Sequence, residues 1–301
     1  MSRYWAYGLT VASEYPFPEL YPLPDGGPID VELDWLELDN NPPELLTKDK
    51  ALVEASLNFH VPGIADYTAR QGRTIAIRPF QGADQADVRF YCLSNAFAAI
   101  LHQRNILPMH CGAFVHKGEL VLIAGDSGAG KSTLLMELDK LGYPTFSDDV
   151  CVPHCDENNR VVFYSSYPVR KLWQTELEHV HQEALLIRTL PEGKKKYAVS
   201  ISSEFSTQAM KPKAVFFIMK SDVLCVAFHE LAGIEKFIRW ESNAYRGEFY
   251  RAQDLRSEHF RLITQLAEQV KAFSIERPVD GNTINDITNR ILQTLEEMIV
   301  T

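Results

Sequence analysis

Residues 120–135 read LVLIAGDSGAGKSTLL, in which an apolar run is followed by glycines and then by a second apolar pattern. The first run is typical of a buried strand that ends at Gly125. From Lys131 onwards, leucines recur at three- and four-residue spacing, which predicts a helix over 131–141 with Gly142 as its left-handed C-terminal residue. We therefore expect a strand, a glycine-rich loop and a helix in direct succession.

The loop between this strand and this helix matches the phosphate-binding pattern G-x-x-x-x-G-K-[ST]. Its glycines allow backbone N–H groups to turn inward around phosphate oxygens, and the helix directs its positive end at the same anion. We expect Lys131 to reach the β- and γ-phosphates of a nucleotide and Ser132 to bind Mg²⁺. The alternative is a glycine-rich turn with a surface lysine. The predicted cofactor-binding residues of this stretch are Gly125, Asp126, Ser127, Gly128, Ala129, Gly130, Lys131, Ser132 and Thr133.

Two adjacent carboxylates, Asp148 and Asp149, lie near the end of the strand predicted over 143–152. A helix of about eleven residues followed by a short returning strand brings this pair back near the loop. Neighbouring side chains on a strand point to opposite faces, so the two carboxylates can divide the catalytic work. One of them can bind Mg²⁺ while the other accepts the proton of an incoming hydroxyl. We take Asp148 as the metal ligand and Asp149 as the base, with the reverse assignment as an alternative. A solvated turn is the alternative.

A histidine, His110, directly precedes a predicted hairpin formed by the runs CGAFV and ELVLIA. In that position it can share the proton of Asp149 and keep the carboxylate ionised, so the catalytic candidates are Asp148, Asp149, His110 and Lys131. A structural histidine is the alternative. The nearby segment CVPHC, over 151–155, resembles half of a metal site, but no second cluster in the sequence completes it.

Two domains are expected from the remaining pattern. Short alternating runs broken by proline and glycine make 1–105 a small mixed β lobe that ends in an amphipathic helix over 87–104. The second domain, 106–301, contains the loop and has a helical C-terminal third. Its further predicted elements are a strand at 161–164, a strand pair at 214–219 and 223–228, and helices at 230–240, 257–270 and 284–299.

Composition limits the partners and the compartment. Forty acidic residues against thirty basic ones give a net charge of −10, which disfavours a general nucleic-acid or anionic-membrane partner. Five irregularly spaced cysteines indicate a reducing cytosol rather than a disulfide framework. The sequence has neither a signal-peptide pattern nor an apolar stretch of membrane-spanning length. We therefore expect a cytoplasmic protein.

The run over 101–152, LHQRNILPMHCGAFVHKGELVLIAGDSGAGKSTLLMELDKLGYPTFSDDVCV, resembles the catalytic core of the HPr kinase/phosphorylase family. Segments 4–20, 165–173, 195–197 and 274–278 are similar to a branch of HPr-kinase-like serine kinases, some of which phosphorylate the terminal serine of lasso-peptide precursors. The resemblance implies an α/β (α+β) fold with a P-loop core of the HPr kinase/PEP carboxykinase type. It also implies ATP and Mg²⁺ as cofactors and a homo-oligomer.

The resemblance further implies that Arg170, in YPVRKLW, lies near the phosphates or the substrate; a solvated pair with Lys171 is the alternative. Thr133 stands where the bifunctional enzymes have Glu, and their glycine-rich second signature has no counterpart here. Residues 1–105 also differ from the regulatory domain of those enzymes. Phosphorolysis and the phosphocarrier substrate are therefore not implied.

The loop and the acidic pair, taken with the resemblance, predict a kinase that transfers the γ-phosphoryl group of ATP to a hydroxyl. The resemblance implies that this hydroxyl belongs to a serine or threonine of a peptide or small protein, such as a lasso-peptide precursor. A small-molecule kinase and a non-catalytic ATP-binding sensor are the alternatives. A GTPase is favoured only by MKSD over 219–222, where Met219 replaces the guanine-reading asparagine.

Overall fold

The computed structural model describes residues 1–36, 56–173, 184–189, 195–201, 205–247, 249 and 256–300. The strands are β1 (Ser2–Ala6), β2 (Leu9–Ser13), β3 (Tyr21–Pro22), β4 (Val31–Trp35), β5 (Ser56–Val61), β6 (Ala65–Arg70), β7 (Thr74–Pro79), β8 (Cys111–His116), β9 (Glu119–Gly125), β10 (Thr145–Ser147), β11 (Val152–Cys155), β12 (Val161–Tyr164), β13 (Val169–Trp173), β14 (Ala184–Thr189), β15 (Lys195–Ser200), β16 (Pro212–Ser221), β17 (Ala227–Glu230) and β18 (Lys271–Pro278). The helices are α1 (Gln85–Tyr91), α2 (Phe97–Gln103), α3 (Lys131–Lys140), α4 (Gly233–Ser242), α5 (Arg256–Gln269) and α6 (Ile284–Val300).

The chain forms two compact units, and each unit is assembled from several segments of sequence. The first contains Met1–Pro108, Tyr167–Ser200 and Tyr245–His259, and the second contains Met109–Ser166, Ile201–Ala244 and Phe260–Thr301. Both units combine sheets with a few helices, so the fold is mixed α/β. No helix in the described part of the chain is long and apolar enough to cross a bilayer.

The first unit is built on a seven-stranded sheet with the strand order β3-β1-β2-β4-β7-β6-β5, together with a three-stranded sheet β13-β15-β14. The predicted helix over 87–104 is confirmed as α1 and α2, which are joined by a π-helical turn over Cys92–Ala96. Its apolar face is buried, and the Phe97 ring stacks on Tyr7 with the centroids 5.2 Å apart.

The second unit is built on a six-stranded sheet with the order β10-β8-β9-β16-β18-β17. The predicted hairpin is confirmed, because β8 and β9 pair in antiparallel register from Cys111↔Ala124 to His116↔Glu119. Strand β16 runs parallel to β9 on one side and to β18 on the other. The carboxyl ends of these three strands therefore lie at one edge of the sheet, where α/β folds bind their ligands.

Three sequence predictions for this unit are wrong in part. The strand predicted over 143–152 is broken into β10 and β11, because residues 148–150 form a bend that the Ser147 hydroxyl closes by donating to the Val150 carbonyl (2.7 Å). Strands β16 and β17 do not pair with each other, since β17 pairs with β18 instead. The C-terminal third is not all helical, because it contains β18. The apolar run of β18 is too short for periodicity to separate a strand from a helix.

Apolar side chains cover the two faces of the six-stranded sheet. On one face, Leu134 and Leu138 of α3 and Ile287 and Ile291 of α6 pack against Phe114, Val121, Ile123, Phe216, Ile218, Phe273 and Ile275. On the other, Trp240 of α4 is fully buried and contacts Phe217 and Phe163. Each such buried side chain contributes about 1.5–3 kcal/mol. This packing fixes the start of α3 beside the end of β9.

Candidate phosphate-binding and catalytic site

The glycine-rich loop leaves the sheet at Gly125, where β9 comes very close to β16. Gly125 has a φ of 135°, and a Cβ there would overlap the carbonyl oxygen of Ile218, its register partner, and lie 3.1 Å from the carbonyl carbon. Only glycine fits this approach. The loop then ends at Gly130, whose φ of 104° makes it the N-cap of α3. The predicted succession of strand, loop and helix is thus confirmed.

Lys131 turns back under the loop. Its side chain is buried, and Nζ donates to the carbonyl oxygens of Gly125 (2.7 Å) and Asp126 (3.2 Å) and to Nε2 of His110 (3.0 Å). An ammonium has three donors, so all three have acceptors within the protein. Burial lowers the pKa of Lys131, and the nearby carboxylates of Asp149 and Asp148 oppose this shift. The three contacts of Nζ therefore hold the lysine at the base of the loop.

His110 bridges Lys131 and Asp149. Its Nδ1 lies 3.2 Å from the backbone oxygen of Asp149 and 3.4 Å from Oδ1 of the same residue. Because an ammonium cannot accept a hydrogen bond, Nε2 of His110 accepts from Lys131, and the proton of the neutral ring is on Nδ1. This tautomer donates toward Asp149. The structure therefore joins Lys131, His110 and Asp149 in one chain of contacts.

The two aspartates differ in their surroundings. Strand β10 pairs with β8 through Ser147↔Ala113, and Met109 pairs with Cys151, so the bend between these pairs carries Asp148 and Asp149 along the start of β8. Asp148 is buried, whereas the Asp149 side chain is 25% exposed. The partly exposed carboxylate is the one that an acceptor molecule can reach.

Gly112 makes room for this bend. A Cβ at Gly112 would overlap the Leu135 side chain and lie 2.6 Å from the backbone oxygen of Asp148. A glycine at this position therefore allows the acidic bend to pass close to β8. No local sequence pattern marks Gly112.

Asn243, at the C-terminal end of α4, holds both sides of the site. Its Oδ1 accepts from the backbone N–H of Gly125 (2.9 Å), and its carbonyl oxygen accepts from the backbone N–H of His110 (2.7 Å). Its own Nδ2 donates to the carbonyl of Arg239 (2.8 Å), which fixes the amide. Sequence reasoning missed Asn243, because nothing in the chain marks an asparagine so distant from the loop.

The other predicted residues occupy varied positions. Asp126, Ser127 and Gly128 are exposed at the loop tip, whereas Ser132 and Thr133 are half-buried in the first turn of α3. Arg170 belongs to β13 of the first unit, where it pairs with Val199. The predicted roles of these residues stay predictions. Among the candidate ligands, the Ser132 hydroxyl and the Asp148 carboxylate offer oxygen donors, which are the donors Mg²⁺ prefers.

The CVPHC segment has other contacts. Cys151 donates to the carbonyl of Cys111 (3.4 Å), and Cys155 donates to the Gln265 side chain (2.8 Å). His154 packs edge-on against Tyr164 with the ring centroids 5.2 Å apart. These side chains are therefore divided among different neighbours.

Comparisons with known proteins complete the description of the site. No family model matches the chain. No curated protein matches it either. Among solved structures, the chain is similar to that of the Hpr(Ser) kinase/phosphatase from Coxiella burnetii, with 16% sequence identity and a TM-score of 0.33. The match covers 64% of this chain and 92% of that one. A similarity this low does not assign a function.

Proposed function

We propose that this protein is an ATP-dependent kinase that transfers the γ-phosphoryl group to a serine or threonine hydroxyl of a peptide or small protein. The observation that carries the proposal is the contact chain from Lys131 through His110 to Asp149. It connects the lysine that is predicted to bind phosphate with a partly exposed carboxylate. Nucleotide binding alone requires no such carboxylate.

The proposed division of labour follows from these contacts. Lys131 and the loop amides neutralise charge on the phosphates, and Mg²⁺, held by Ser132 and Asp148, would supply further neutralisation when bound. Asp149 accepts the proton of the attacking hydroxyl, while the oxygen–phosphorus bond to the acceptor forms and the bond to ADP breaks. His110 donates through Nδ1 toward Asp149 and so orients the base.

The proposed acceptor class, a peptide or small protein, depends on the sequence resemblance described above. The test therefore offers the protein Mg-ATP together with two acceptor sets, peptides ending in serine and small-molecule alcohols. ADP release and mass spectrometry identify the product. Phosphate on a peptide serine supports the proposal, and phosphate on a small molecule shows a small-molecule kinase instead. Nucleotide binding without ADP release over both sets shows a sensor.

A pair of matched variants tests the base. Asp149→Asn should keep ADP binding and lose about 10²- to 10⁴-fold in transfer rate, the usual contribution of a general base. Asp139→Asn removes the same charge from the exposed surface of α3 and should leave the rate unchanged. Full transfer by Asp149→Asn on a verified acceptor would disprove the assignment of the base.

A further inference from the structure

A second cation lies at the same sheet edge as the loop. Arg277 is close to the end of β18, in register with Lys220 of β16. Ile218 of β16 is the register partner of both Gly125 of β9 and Ile275 of β18. Arg277 therefore lies two residues further along β18 than the position opposite the start of the loop. No sequence pattern assigns a role to this arginine.

The strand periodicity directs Arg277 toward the loop helix. Side chains two apart on a strand share a face, so Arg277 shares its face with Ile275 and Phe273, which pack against α3 and α6. An added Cβ at Gly130 would lie 4.0 Å from Nη1 of Arg277. The guanidinium therefore reaches the last loop residue, immediately before Lys131.

The charge of Arg277 has no partner in the part of the chain that the structure describes. Its Nε is buried and makes no hydrogen bond there. Arg277 is half-buried, and a charge partly removed from water is normally paired because its desolvation is costly. The ammonium of Lys131 differs from the guanidinium of Arg277, because its three donors already form hydrogen bonds to acceptors within the protein. An anion bound on the loop would give Arg277 the partner that it lacks.

We propose that Arg277 is a nucleotide-binding residue that pairs with the non-transferred phosphates held by the loop. This inference rests on the proposed function and adds a residue to the nucleotide site. The loop backbone cradles the α- and β-phosphates, and Gly130 belongs to that backbone. A guanidinium presents a planar set of donors that suits phosphate oxygens. Arg277 consequently acts on ADP and ATP alike.

Calorimetric titration of the full chain with Mg-ADP tests this role. Arg277→Gln should weaken ADP binding about 10- to 100-fold, the loss typical of hydrogen bonds to a charged group. Arg277→Lys should bind with intermediate affinity, because it keeps the charge but not the planar donors. The control Arg290→Gln removes an arginine of α6 whose guanidinium lies 4.6 Å from the Phe228 ring centroid, and it should bind ADP like the wild type.

Thermal unfolding adds a readout for folding. Without nucleotide, Arg277→Gln should melt no lower than the wild type, since it removes a half-buried cation that has no partner among the described residues. With ADP it should show a smaller rise in Tm, because the rise follows affinity. If Arg277→Gln does not fold, the titration of Arg277→Lys with Mg-ADP tests the proposal instead. An ADP affinity of Arg277→Lys equal to that of the wild type would overturn it.

Three further outcomes separate this inference from the proposed function. If the wild type binds ADP and Arg277→Gln binds it equally well, the role of Arg277 is wrong and the kinase proposal stands. If ADP affinity is unchanged but kcat falls, Arg277 acts on the transferred group and the assignment to non-transferred phosphates is wrong. If the wild type binds neither ADP nor ATP, both proposals are wrong.

Discussion

Replacement of Gly125 by alanine should destabilise the second unit far more than an ordinary glycine substitution. The φ of 135° places the residue where side chains are strained, at about 1–3 kcal/mol. The new Cβ would also overlap the Ile218 carbonyl, and such overpacking costs about 1–3 kcal/mol more. Because β9 and β16 pair at this level, one of the two strands must move. We expect a total loss of about 2–6 kcal/mol in the free energy of unfolding.

Gly142→Ala is the matched control for this change. Gly142 has a φ of 88°, and an added Cβ there would meet no atom of the described residues within 4 Å. Gly142→Ala should therefore lower the free energy of unfolding only by the left-handed backbone strain, about 1–2 kcal/mol. Urea unfolding followed by circular dichroism measures both variants, and hydrogen exchange of peptides from β16 locates the effect. Equal losses for the two variants, within about 0.5 kcal/mol, would refute the close-approach argument.

Three further predictions concern the supports of the site and the first unit. Asn243→Ala leaves the Gly125 N–H without its acceptor and should cost about 1–3 kcal/mol and weaken ADP binding, whereas the neighbouring Ser242→Ala should do neither. Gly112→Ala should cost about 1–3 kcal/mol and slow transfer, because its Cβ displaces the Asp148 backbone; an unchanged rate in a folded variant would contradict this. Burial, with His102 adding to it, lowers the pKa of His259 in the first unit to about 4, so the unfolded chain binds this proton first as pH falls. The contribution of neutral His259 to the free energy of unfolding is then fully present above pH 6.5 and should fall by about 3 kcal/mol between pH 6.5 and 4. When unfolding is measured as a function of pH, the variant His259→Gln should lack this pH-dependent loss.

The sequence by itself determined the local elements around the loop. The glycine pattern and the leucine spacing predict β9, the loop and α3, because backbone freedom and helix periodicity are properties of neighbouring residues. The β8–β9 hairpin and the helix of the first unit followed from the same local signals. The acidic pair and His110 were also predicted as site residues from their residue types and their positions relative to the loop and the hairpin.

The tertiary structure decided which distant residues complete the site. Asn243 and Arg277 lie far along the chain from the loop, and strand pairing and helix packing bring them to it. The same long-range pairing inserts β18 into the sheet, where its short apolar run gave no distinct signal. The breaking of the strand at the acidic bend likewise depends on the Gly112 contact and on the pairing of Met109 with Cys151. Local patterns record only near neighbours, so contacts between distant segments become visible only when the chain is folded.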